Sequence, residues 1–176
     1  MLLLILCMAL PVCGYHRVRP GNNLPEGINA IAIPVFRNDT YESGIEVMMT
    51  DALREQFTRS GFVRLTSVKH ADAVVIGTIS KFSVKALSFS EFDYAVEYRA
   101  HIQMRMKLVA KDGTVLWEDP KLSRREDYRV SADIFASEEA RQQATEQIAR
   151  DLMADVHDRI FDGFEMEGGF VKQRGQ

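Results

Sequence analysis

The stretch Tyr94–Ala110 constrains this chain more than any other. Its even positions are Tyr94, Val96, Tyr98, Ala100, Ile102, Met104, Met106, Leu108 and Ala110, while its odd positions include Glu97, Arg99, His101, Gln103, Arg105 and Lys107. Alternation with period two predicts a strand with one face on a core and the other toward water or a polar partner. At ~3.3 Å per residue such a strand runs for about 55 Å, well past the usual five or six residues. It must overhang a small domain or bend. Lys111–Thr114 then supplies an Asp-Gly turn, and Val115–Trp117 returns as a paired strand.

The other elements are read around that pair. Ile28–Phe36 alternates through Ile31, Ile33 and Val35 as a strand; Pro34, which cannot donate a ladder hydrogen bond, belongs at an edge or near its end. Arg37–Tyr41 reads as a loop. Ser43 and Glu46 have capping-box spacing, opening a helix striped by Ile45, Met49, Leu53 and Phe57 and closed by Gly61 as a left-handed cap. Met48 and Met49 read as core packing. Phe62–Thr66 and Ala71–Ala86 are strands, and Glu118–Arg129 is a polar loop. Ser137 caps a second helix in which Ala140, Ala144, Ile148, Leu152, Val156 and Ile160 recur every four residues. That stripe covers about 24 residues, roughly 36 Å, a length matched to the long strands. Two one-faced helices and a sheet with one polar face predict an α/β (α+β) two-layer sandwich. Both helices pack on one face of a mixed β-sheet with long central strands, and the other face stays uncovered by the chain itself.

The amino end carries a different signal. Met1–Tyr15 is apolar up to Cys13 and turns polar at His16, Arg17 and Arg19. Leu2–Leu10 makes an apolar run of roughly nine residues, short of the ~20 that a membrane-spanning helix needs, so it reads as an export signal. Leu10, Cys13 and Gly14 resemble the lipobox of bacterial lipoproteins, in which the signal is cleaved before a cysteine that then carries the lipid. Cys7 and Cys13 are the chain's only two cysteines, so a mature protein starting at Cys13 holds no other thiol. The expected plan is a signal peptide at 1–12, a Pro- and Gly-rich tether at 13–27, one domain at 28–164 and a disordered tail at 165–176.

Chemistry is read mostly from what is missing. There is no Gly-x-Ser-x-Gly elbow, phosphate-binding Gly-rich loop or His-Glu-x-x-His. His16, His70, His101 and His157 have no ligand spacing, and Asp151, Asp155 and Asp158 read as a solvated helix face. The chain is read as a non-enzyme that needs no metal or cofactor. With 22 basic against 25 acidic residues and a net charge of −3, it is not a nucleic-acid binder. The basic residues say more. Lys121, Arg124 and Arg125, with Lys85, are candidates for gripping phosphate groups, since arginine presents a planar fork matched to them. The alternative is ordinary surface pairing of the basic residues with Glu91, Asp93, Glu97 and Glu118.

Several stretches in fixed order carry a resemblance. They are Cys13–Arg19, Ile31–Thr40, Gly44–Leu53, Ala71–Gly77, Gly113–Trp117 and His157–Phe164. Together the chain resembles the lipopolysaccharide-assembly lipoproteins of Gram-negative outer membranes, the LptE family. The resemblance implies an anchor at Cys13 on the periplasmic side of the outer membrane. It also implies a body plugged inside a β-barrel translocon, LptD, whose assembly it helps, and a role in placing lipopolysaccharide in the outer leaflet without catalysis. A polar sheet face and an over-long strand pair suit enclosure by a polar barrel lumen. Ile31–Leu53 also resembles the opening of adaptor lipoproteins that activate a peptidoglycan synthase or pilot a secretion pore, which is the competing expectation.

Overall fold

The computed structural model describes residues 24–92, 94–162, 164–167 and 170–173. Cys13, the expected signal peptide and most of the tether lie outside them. Three strands dominate: β4 (Ala73–Phe89), β5 (Ala95–Ala110) and β6 (Val115–Arg129), paired antiparallel as a meander. Before them, β1 (Ala30–Ala32) pairs parallel with both β4 and β3 (Arg64–Leu65), and β2 (Arg37–Asn38) pairs parallel with β4 further along. The sheet order is β3-β1-β4-β5-β6. Helices α1 (Ile45–Ser60) and α2 (Ile134–Asp162) complete the sandwich.

The expected two-layer α+β architecture is what forms. On β5, Ala100, Ile102, Met104, Met106 and Leu108 are buried, as the even positions require. They meet Met49, Leu53 and Phe57 of α1 and Ile148, Leu152, Val156 and Ile160 of α2 in one core. Phe57 packs edge-on to His157 at 5.1 Å and against Phe161 at 5.6 Å, which joins the two helices. Gly77 lies under Phe36, whose ring would stand 2.7 Å from a β-carbon there, so only a glycine lets that ring close the core. The far end of the meander overhangs, as its length demands: Tyr94 and Val96, on the core side of the alternation, stay exposed.

Local corrections concern ends and loops. The strand expected over Ile28–Phe36 is cut to β1, and the loop expected over Arg37–Tyr41 contributes β2, because Pro34 interrupts the ladder between them. Helix α1 starts at Ile45 on Gly44 in the left-handed conformation, with no side-chain cap. Glu46 instead accepts a hydrogen bond from Asn38 at 2.8 Å. Gly61 does close the helix, at φ 66°. Helix α2 begins three residues before Ser137, and the Asp133 carboxylate accepts the amides of Phe135 (2.8 Å) and Ala136 (3.3 Å). In the tail, β7 (Phe164–Glu167) and β8 (Phe170–Gln173) pair antiparallel. The largest change is that Glu118–Arg129 is not a loop. It completes β6 as a full-length edge strand.

Candidate functional site

Two one-residue irregularities decide which charges reach the open sheet face. On β4 the register runs Ile79↔Met104 and then Lys81↔Gln103, so Ser80 is an extra residue that reverses the alternation. Before it the odd residues Val75 and Ile79 face the core; after it the odd residues Lys81, Ser83 and Lys85 face outward. Strand β6 does the same. Asp119 is opposite Met106 while Leu122 is opposite Met104, which leaves one residue too many around Pro120, where proline has no amide to donate. Trp117 is buried before this bulge and Leu122 after it. Arg124 therefore follows Leu122 to the helix side, and Arg125 goes to the open face.

The resulting register places Ser83, His101 and Arg125 side by side across β4, β5 and β6. Lys85 pairs with Arg99, and Arg99 with Asp127. Lys81, Ser83, Lys85, Ala86, Leu87, Arg99, His101 and Arg125 line a groove of about 340 Å³. Arg99 is neutralised within it, donating through Nε and Nη2 to the two Asp127 oxygens at 2.6 and 2.7 Å. This fork-to-fork pair holds the Asp127 carboxyl below its usual range and raises Arg99. Among the described residues, Lys81, Lys85 and Arg125 have no carboxylate partner. Their charge is felt by His101, whose imidazole is pushed below its ordinary value, first by burial and then by Arg125, Lys81 and Lys85. A second groove of about 240 Å³ lies further along the same face. There Glu118 balances the local charge, and Arg105 lies 3.8 Å from Asp39.

The four basic candidates read from the sequence are not one cluster. Lys85 and Arg125 share the groove. Arg124 is on the other face, donating to Asp151 of α2 at 2.8 Å, and Lys121 is exposed at the bulge, its amide bonded to Asp119 at 2.9 Å. Lys81 and His101 complete the groove, and neither was among those candidates. The three α2 aspartates read as a solvated face have partners: Asp151 has Arg124, Asp155 has Arg159 at 2.8 Å and Asp158 has His157 at 3.0 Å. Beyond the groove the overhanging end is apolar and exposed, with Phe89, Phe92 and Tyr94 on the β4–β5 hairpin and Ile134 and Phe135 at the start of α2. Among the described residues, no helix is long and apolar enough to cross a membrane.

The family model for LptE, lipopolysaccharide-assembly, matches residues 28–160. The chain belongs to the LptE family. That match spans α1, all but the last two residues of α2 and the whole meander, including every residue of the groove. No curated protein matches this LptE-family chain in sequence. Among solved structures it is similar to a Xanthomonas campestris protein at 15% identity and TM-score 0.51, over 77% of this chain and 84% of that one. It is also similar to PelC from Paraburkholderia phytofirmans at 12% identity and TM-score 0.50, over 80% and 93%. A Caulobacter crescentus protein aligns at 9% identity and TM-score 0.51, over 73% and 89%. At these identities the likeness is one of fold.

Proposed function

We propose that this chain is an outer-membrane lipoprotein that joins a β-barrel translocon of the LptD type, assisting its assembly and the insertion of lipopolysaccharide into the outer leaflet. Family membership across residues 28–160 is the observation that carries the reading. Its physical counterpart is the undivided sandwich with one face left open. A polar, cation-bearing sheet face that no element among the described residues covers suits the polar lumen of a barrel. The exposed aromatic end suits contact with apolar surface beyond it. No step of chemistry is assigned; the work is holding and placing.

In this reading residues 1–12 are removed, Cys13 carries the lipid and the segment up to residue 27 tethers a domain over 28–164 on the periplasmic side of the membrane. A Cys13→Ser chain is then expected to take up no labelled palmitate; uptake equal to the natural chain would move the anchor elsewhere. Lys85 and Arg125 are the proposed contacts for lipopolysaccharide phosphates, with Lys81 beside them. Depleting the protein is expected to lower surface lipopolysaccharide and leave the barrel misassembled. Normal amounts of both after depletion would end the proposal.

A further inference from the structure

The row Ser83–His101–Arg125 has an odd property for a groove proposed to take anions. Opposed residues on neighbouring strands sit roughly 5 Å apart and same-face neighbours along a strand roughly 7 Å apart. His101 is thus ringed by Lys81 and Lys85 from β4, Arg125 from β6, and Arg99 and Gln103 on its own strand. Asp127, opposite Arg99 on β6, is committed to that arginine. A neutral imidazole there offers one N–H donor and one lone pair, and the lone pair repels an oxyanion. Once protonated, it offers two donors and a fourth positive charge.

We infer that the groove is a proton-coupled site for a doubly charged tetrahedral oxyanion, a phosphate ester or the free anion, held by Lys81, Lys85 and Arg125 with His101 taking up a proton as the anion arrives. It rests on the function proposed above only in treating this groove as the place where an anionic group docks. With the groove empty, burial and three cations disfavour the protonated ring. A dianion among those cations cancels their repulsion and rewards the imidazolium. By linkage, whatever raises the His101 pKa on binding makes binding tighter as pH falls. The sign is fixed: affinity rises as pH drops from the occupied pKa toward the empty one, by at most about tenfold per pH unit for one proton. The groove would then hold an anion more firmly in an acidified compartment and release it as pH rises.

The test follows the His101 ring signal by NMR in the full chain, using inorganic sulfate, which stays dianionic across the range so that only the protein titrates. Saturating sulfate is expected to raise the His101 midpoint by about one pH unit; an unmoved midpoint overturns the inference. In a Lys85→Gln, Arg125→Gln chain the sulfate-free midpoint should rise, because two repelling cations are gone, and its response to sulfate should shrink. A response equal to that of the natural chain overturns the assignment of these residues. His101→Gln should bind sulfate with a pH-independent affinity, several-fold weaker than the natural chain at pH 6; the same pH dependence in both would place the proton elsewhere and also overturn it. Phosphatidylcholine vesicles carrying phosphatidic acid separate the sources. Binding at lipid-phosphate concentrations well below those needed for free sulfate assigns a headgroup, and equal concentrations assign a free anion. A pH-flat sulfate response with a barrel still bound removes this site alone, whereas a working sulfate site with no barrel removes the proposed function alone.

Discussion

Replacing Phe57 by alanine is expected to lower the unfolding free energy by about 3–5 kcal/mol, the range for deleting a fully buried aromatic ring. The ring is wholly buried in α1 and touches His157 and Phe161 of α2. Phe62 packs on Phe161 at 5.1 Å, so the cavity would open at the helix–helix joint. For a domain whose total stability is about 5–15 kcal/mol, that is a large share. Urea denaturation gives the number directly: the midpoint should fall with the slope unchanged. A loss below about 1 kcal/mol would mean the two helices do not meet through this ring.

Removing the three groove cations that have no carboxylate partner among the described residues, by Lys81→Gln, Lys85→Gln and Arg125→Gln together, is expected to weaken lipopolysaccharide binding by roughly ten- to a hundredfold at low salt. Each charge-assisted contact at so open a site contributes about 0.5–1 kcal/mol after screening, and about 1.4 kcal/mol is tenfold. The side chains lie on the uncovered face, so stability should hold. The control is Lys121→Gln with Arg124→Gln, which removes two charges against three and leaves the groove intact. Equal losses in the two variants would show that net charge, and not this groove, sets the affinity. High salt should shrink the difference, because surface charges are screened within about a Debye length.

These residues also show what was legible in the chain. The period-two run of β5 is kept from Ala100 to Leu108 and the four-residue stripe of α2 from Ala144 to Ile160, since each is a face buried over that length. The part of β6 after Trp117 was hidden because beyond Leu122 its inward positions include Arg124 and Glu126, which a hydrophobic pattern reads as loop. Helix α2 supplies Asp151 there, so a charged inward position is tolerated. The groove was hidden for a different reason. Its membership depends on one extra residue at Ser80 and another near Pro120, and a one-residue slip moves every later side chain to the opposite face. Alternation counted along a single strand carries no record of that slip. Pro120 was the one available sign, since proline inside a strand marks an edge or a bulge.

The decisive measurement is affinity capture of the full-length protein from solubilised outer membranes, with bound proteins identified by mass. A large β-barrel of the LptD type should come down in near-equal amount, and it should stay bound when Lys81, Lys85 and Arg125 are neutralised. Recovery of a peptidoglycan synthase or a secretion pore with no barrel would contradict the assignment.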